Sequence, residues 1–210
     1  MLLHGNRFLV ALLFVCIIAG TAPDGRADAT IPVMPGTYDL GLHAGHTNDL
    51  ATLKPNVLFM GDSITRNWLN GNLWSGVYAG INIWNNYYTN RIGYNIGISG
   101  EKIEHLLWRV MNGVFANNIN PKVAVLMMGT NNGDPYTNRV AGLRLIVDYV
   151  LTNTVDTTVL VLGIFPRDTP TTTFQGIFDE LAKWPATNRV KILNINNTFY
   201  LPGTSNLNTA

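Results

Sequence analysis

Three short glycine-rich segments each carry a group that acyl-transfer chemistry uses. Gly61-Asp62-Ser63 supplies a hydroxyl, Ser99-Gly100 supplies a glycine N–H, and Gly129-Thr130-Asn131-Asn132 supplies a carboxamide. A serine hydroxyl can attack an ester carbonyl, and N–H donors stabilise the negative charge that then develops on oxygen. Each segment alone also fits a turn or a helix cap, because its residue types are common there. The chemistry therefore depends on whether the fold brings the three segments together.

Each segment follows a short apolar run, and these runs predict the strands that must position the candidate groups. Five such runs occupy residues 57–60, 94–98, 123–128, 159–164 and 190–195. Apolar side chains recur with helical spacing between them, over residues 101–118, over residues 140–151, and from about residue 172 to the stretch before Pro185. This alternation predicts an α/β fold, a three-layer α/β/α sandwich around a five-stranded parallel sheet. Ligands bind at the carboxyl ends of strands in such sheets, so we expect the three segments to meet at that edge.

Composition excludes several classes of protein. The 210 residues are 47% hydrophobic and 13% charged, with a formal net charge of +1. Disordered chains are less hydrophobic, and nucleic-acid-binding proteins carry clustered positive charge, so neither class is expected. The sequence has no cluster with metal-ligand spacing and no phosphate-binding glycine loop, so it implies no metal and no cofactor. The expected partner is a small molecule, and no nucleic acid.

The N-terminus has the pattern of a secretory signal peptide. Arg7 precedes an unbroken apolar run over residues 8–18, which is shorter than the roughly 20 residues of a membrane-spanning helix. Ala27-Asp28-Ala29 supplies a small-x-small cleavage pattern. We therefore expect a signal peptide over residues 1–29, a single domain over residues 30–210, and a secreted or periplasmic location without stable membrane insertion. An uncleaved membrane anchor is the alternative.

In order and in residues, the three segments resemble the first three sequence blocks of the SGNH (GDSL-type) hydrolases. They read Gly61-Asp62-Ser63-Ile64, Asn95-Ile96-Gly97-Ile98-Ser99-Gly100 and Gly129-Thr130-Asn131-Asn132. The resemblance extends from about residue 53 to about residue 199 and favours the branch that includes the platelet-activating-factor acetylhydrolase catalytic subunits. It implies a flavodoxin-like sandwich, in agreement with the strand pattern.

The resemblance also implies roles for individual residues. Ser63 would be the nucleophile, and its own N–H, the Gly100 N–H and the Asn131 side chain would form the oxyanion hole. Asp62 and Asn132 would support the site, Asp62 by ordering its turn. Three donors around one developing oxyanion are physically sensible, because each preorganised donor lowers the barrier by roughly 3 kcal/mol in comparable sites.

One part of the family pattern is missing from this sequence. Members of the family take their general base from an Asp-x-x-His block after the fifth strand, but no Asp and no His follows Glu180 here. His4 belongs to the predicted signal peptide, and His105 is expected to pack or to face solvent. His43 and His46 precede the first strand and are expected to start at the opposite edge of the sheet. We favour a domain that is incomplete at its C-terminus over a natural end without the block.

These observations predict a secreted serine esterase that hydrolyses acyl esters, with acetyl esters favoured, of a carbohydrate or a lipid through an acyl-serine intermediate. The alternative is an impaired or inactive binding module on the same fold, which keeps the cleft and lacks the base. Aromatic residues crowd the segment between the first two blocks. Packing in the core is favoured for them over an exposed stacking platform.

Overall fold

The computed structural model describes residues 28–69, 72–73, 77–78, 80–165, 172–185 and 187–194. Most of the expected signal peptide, residues 1–27, and the end of the chain from residue 195 lie outside the described residues. In chain order the elements are α1 (Thr37–Leu53), β1 (Val57–Gly61), α2 (Ser63–Arg66), β2 (Asn72–Leu73), β3 (Val77–Tyr78), α3 (Ile81–Tyr87), β4 (Gly93–Asn95), α4 (Ile103–Arg109), β5 (Val123–Met127), α5 (Tyr136–Asn153), β6 (Thr158–Leu162), α6 (Thr172–Ala182) and β7 (Val190–Leu193).

The main sheet has five parallel strands in the order β4-β1-β5-β6-β7, which confirms the predicted α/β architecture. β2 and β3 form a separate antiparallel pair. Each of the five apolar runs contributes one strand of the sheet. The second strand is shorter than predicted, since it ends at Asn95. Beyond it the chain still runs beside β1, where Ile96 and Ile98 donate their N–H groups to the carbonyls of Phe59 and Gly61 at 2.9 and 3.2 Å.

Both faces of the sheet are apolar, as the continuous apolar runs predict for buried parallel strands. Alternate residues of β1 and β5, such as Leu58 and Leu126, face a large core built with α1, α4, α5 and α6. The intervening residues Phe59 and Val125 face a smaller core, to which α3 contributes Trp84. The helices therefore lie on both sides of the sheet, as in a three-layer sandwich.

Aromatic residues between the first two site segments form part of the smaller core. The Phe59 ring lies 5.1 Å from the Trp84 ring and 4.8 Å from the Tyr88 ring, between centroids. Trp84 is 7% exposed, whereas Tyr87 on the same helix is 57% exposed. Packing is thus confirmed for Trp84 and its neighbours.

The helices differ from the prediction at two places. The sequence does not predict α1, because its apolar residues are sparse, and His43 and Leu50 are the residues that it buries. The predicted helix over residues 101–118 is interrupted. α4 ends at Arg109, and one π turn over Val110–Val114 follows it directly. Within this turn the backbone of Gly113 is non-helical, with a φ of +130°. α6 begins at Thr172, as predicted. Within the described residues, no helix is both long enough and apolar enough to cross a membrane.

Candidate active site

The structure brings the three predicted segments to one edge of the sheet. They follow β4, β1 and β5, which are neighbours in the sheet. The segments after β1 and β5 begin within two residues of the strand end, and Ser99-Gly100 follows the stretch that continues beyond β4 beside β1. Gly61 at the end of β1 pairs with Met127 at the end of β5. The Gly61 carbonyl also accepts the N–H of Ile98, two residues before Gly100. Strand pairing therefore fixes the separation of the segments.

Ser63 is the first residue of the short helix α2 and is half-buried. Asp62 caps this helix, since its Oδ1 accepts the Ile64 N–H at 2.9 Å. The Ser63 N–H belongs to the first turn, where no intrahelical acceptor exists. The local sequence thus places a hydroxyl and an N–H of the same residue at the carboxyl edge of β1.

The loop between β4 and α4 carries Gly100 at the surface of the same edge. Its φ is +81°, a left-handed conformation that glycine adopts without strain. A Cβ built at this position meets no atom within 4 Å, so the space around Gly100 is open. A ligand can therefore approach the Gly100 backbone closely.

Asn131 lies beside this loop and is joined to it. Its Nδ2 donates to the carbonyl oxygen of Glu101 at 2.9 Å. Glu101 directly follows Gly100, so the carboxamide of Asn131 is held next to the Gly100 peptide. The Asn131 side chain is therefore joined to the residue that follows Gly100, and the backbone from Gly100 to Glu101 connects two of the three predicted oxyanion donors.

Asn132 is buried in a polar network behind the site. Its Oδ1 accepts the Ile103 N–H at 3.0 Å, and its Nδ2 donates to Glu104 Oε2 at 2.8 Å and to Asp134 Oδ2 at 3.1 Å. Arg139 donates to the Asp134 carbonyl at 2.9 Å. These bonds join the loop after β5 to the start of α4. Asn132 therefore fixes the loop that carries Asn131 to the start of α4.

Glu101 and Arg109 form a buried ion pair that the sequence analysis missed. Arg109 Nη2 lies 2.8 Å from Glu101 Oε2, and both side chains are 0% exposed. Burial raises the pKa of Glu101 to about 7 despite the neighbouring guanidinium. Burial likewise lowers the pKa of Arg109. A sequence shows no sign that either charge lies inside the core.

The three histidines of the described residues are engaged away from Ser63. His43 Nε2 lies 2.9 Å from the Asn112 carbonyl oxygen, and His46 Nδ1 lies 3.5 Å from Arg109 Nη1. His105 Nδ1 accepts the N–H of Lys102 at the start of α4. The expected start of His46 at the opposite edge of the sheet gives no sign of its contact with Arg109. α1 packs beside α4 and brings His46 to this arginine, the partner of Glu101. In the same part of the chain, no three His, Cys, Asp or Glu side chains form a cluster that could hold a metal ion.

Acid should destabilise the protein through His46. Burial, and secondarily the charge of Arg109, lower its pKa from 6.5 to about 4. Between these two pH values His46 is protonated in the unfolded chain and neutral in the folded chain. The free energy of unfolding is therefore unaffected by His46 above pH 6.5 and decreases as the pH falls towards 4. We expect the titration of His46 to lower the free energy of unfolding by roughly 3 kcal/mol between about pH 7 and about pH 4.

Urea unfolding of wild type and of His46→Gln at both pH values measures this effect. The raised pKa of Glu101 acts in the opposite sense, since protonated Glu101 favours the folded state. The difference between the two proteins, rather than the total pH dependence, is therefore the quantity to compare. An equal loss of stability in both would exclude His46 as the cause.

An apolar cavity of about 230 Å³ lies on the face of the smaller core. It reaches from the aromatic residues to Thr65, on the helix that Ser63 begins, and to Met127 at the end of β5. The lining consists of Phe59, Thr65, Trp68, Tyr88, Val125, Met127, Leu160, Leu162, Phe165 and Leu193. Apolar volume is thus available next to the helix that carries the candidate nucleophile.

No protein-family model matches the sequence. The platelet-activating factor acetylhydrolase IB subunit alpha2 of Rattus norvegicus is 34% identical over 120 residues, which is 57% of this chain and 48% of that protein. The chain therefore spans about half the length of the curated relatives that it matches.

Solved structures agree with this relationship at the level of the fold. A proposed acylhydrolase from Bacteroides fragilis superposes with a TM-score of 0.63 at 18% identity, covering 83% of this chain and 85% of that one. A GDSL-like lipase from Bacteroides thetaiotaomicron superposes with a TM-score of 0.59 at 15% identity, covering 79% and 85%. Sequence and fold together confirm the resemblance drawn from the three segments: this chain is similar to the SGNH (GDSL-type) hydrolases.

Proposed function

We propose that the protein is a secreted or periplasmic serine esterase that hydrolyses acyl esters, with acetyl esters favoured, of a carbohydrate or lipid. The observation that carries the proposal is the link from Asn131 Nδ2 to the Glu101 carbonyl at 2.9 Å. It holds a carboxamide beside the Gly100 peptide, on the strand edge where Ser63 begins α2. The acetylhydrolase among the sequence relatives and the apolar run before residue 28 support the acetyl group and the location.

The arrangement suits acyl transfer in two steps. Ser63 Oγ attacks the ester carbonyl carbon, the oxyanion accepts hydrogen bonds from Ser63 N–H, Gly100 N–H and Asn131 Nδ2, and the C–O bond to the alcohol then breaks. The proton of Ser63 leaves with the alcohol. Water then attacks the acyl-serine and releases the acid. The cavity beside α2 offers apolar contacts for the acyl or alkyl part of the substrate.

Trapping the acyl-serine tests this proposal directly. The full-length protein is mixed with an acetyl ester such as p-nitrophenyl acetate, quenched in acid and digested, and its peptides are analysed by mass spectrometry. We expect one acetyl group on the peptide that contains Ser63 and none on the peptide that contains the exposed Ser99. Acetylation of Ser99 alone would refute the assignment of the nucleophile. No acetylated serine and no turnover would favour the alternative, a binding module without catalysis.

A further inference from the structure

A single guanidinium ties both ends of the loop that carries Gly100. Arg109 Nη2 donates to the Ile96 carbonyl at 2.9 Å, where the loop leaves the sheet. The same nitrogen lies 2.8 Å from Glu101 Oε2, where the loop approaches α4. The path of the loop between these two residues therefore depends on the ion pair.

The backbone of Glu101 lies between two of the proposed oxyanion donors. Its N–H group shares a peptide with the Gly100 carbonyl, and its own carbonyl oxygen accepts from Asn131 Nδ2 at 2.9 Å. A carboxamide nitrogen carries two hydrogens, so this bond fixes the carboxamide plane and leaves one N–H to serve an oxyanion. A displacement of Glu101 would move both the Gly100 peptide and the Asn131 side chain.

The ion pair stabilises this part of the core less well than its contacts suggest, because both charges lose their hydration on burial. Apolar side chains of similar volume often replace buried ion pairs without loss of stability. Other charges increase the cost: Asp39 of α1 and Asp62 at the end of β1 disfavour ionised Glu101, and His46 of α1 faces Arg109. The presence of the charged pair Glu101 and Arg109 at this buried position therefore points to a role beyond packing.

We propose that Glu101 and Arg109 are positioning residues, whose ion pair holds the Gly100 N–H and the Asn131 amide in the geometry of an oxyanion hole. Its effect on turnover rests on the esterase function proposed above, whereas the structural coupling does not. Because the pKa of Glu101 is raised to about 7, acidification weakens the pair close to neutral pH. Above that pH both members of the pair are charged, and the pair holds the loop that carries Gly100.

Nuclear magnetic resonance tests the coupling without any need for activity. The Gly100 N–H and the Asn131 side-chain N–H signals are followed in ¹⁵N-labelled protein from about pH 5 to about pH 9, the range around a carboxyl group with such a pKa. We expect both to shift with a common midpoint near 7 in wild type, and to lose that transition in Glu101→Gln. Asp148→Asn is the matched control, because it removes a carboxylate from the exposed Arg144 pair at 3.0 Å and should keep the transition. Signals that do not shift, or that shift equally in Glu101→Gln, overturn the proposal.

Turnover supplies a second, independent readout. We expect Glu101→Gln to lower kcat for an acetyl ester by about tenfold or more at unchanged KM, because misplaced donors weaken binding of the transition state alone. Asp148→Asn should keep the wild-type kcat. If Glu101→Gln does not fold, the double variant Glu101→Leu/Arg109→Met keeps the buried volume and should show the same loss. A folded variant that keeps the kcat of the wild type overturns the positioning role. If instead the wild type is no faster than Ser63→Ala, the esterase function is refuted, and the NMR result alone decides the coupling.

Discussion

Alanine in place of Ser63 is expected to lower acetyl-ester turnover by the full-length protein by about 10⁴-fold or more, since loss of a serine nucleophile leaves only binding and the oxyanion hole. The change removes one oxygen from a half-buried side chain, while the cap from Asp62 Oδ1 to the Ile64 N–H stays in place. The loss should therefore be chemical, with an unchanged unfolding temperature. Rates with p-nitrophenyl acetate and thermal unfolding measure the two quantities.

The size of the loss is informative in itself. The members of a catalytic group act together, so removal of the nucleophile lowers turnover far less in a protein that already lacks the base. A fall of less than about tenfold would mean that no base acts on Ser63, and would contradict the prediction. Thr152→Ala removes an exposed hydroxyl on α5 that donates to the Asp148 carbonyl, and it should leave the rate unchanged.

Alanine in place of Gly97 is expected to destabilise the protein by about 3 kcal/mol, the upper end of the cost of overpacking a filled site. A Cβ at this position would lie 2.6 Å from Arg66 N and 2.8 Å from Asp62 O. Both are backbone atoms of the turn that carries Ser63, so they cannot rotate away. Urea unfolding measures the change.

A matched glycine lies on α1. A Cβ at Gly41 meets no atom within 4 Å, and the residue is helical, so Gly41→Ala should stabilise the protein by about 0.5 to 1 kcal/mol. Opposite signs for the two substitutions would show that the contact, rather than the added methyl group, destabilises the variant. A Gly97→Ala protein as stable as wild type would mean that the site segments pack less closely than described.

The central strands β1 and β5 could be predicted from sequence because they are buried on both faces and their apolar runs are continuous, whereas the edge strands β4 and β7 are more exposed and have weaker runs. α1 could not, since a helix that buries His43 and Leu50 has no apolar stripe along its length. The break after Arg109 also lacks a local signal: Gly113 takes φ +130° where α1 packs against the π turn, and Thr47 lies close to it. These features are set by contacts between helices that are distant in the sequence.

The candidate site divides in the same way. Ser63, Gly100 and Asn131 could be found because turn residues follow strands, and parallel strands end at one edge. Glu101 and Arg109 could not, because a charged residue is normally solvated and its burial depends on the elements packed over it. The position of His46 beside Arg109 likewise follows from the packing of α1, which no spacing in the sequence indicates.

The order of the strands also affects how the protein folds during synthesis. β1 is made first, yet both of its neighbours, β4 and β5, follow later in the chain. Until Met127 has left the ribosome, the apolar residues of β1 have no complete sheet to join. A nascent chain that has not yet reached residue 127 therefore exposes the apolar residues of β1 to other chains and to chaperones. Codons that slow translation before residue 127 would prolong that exposure.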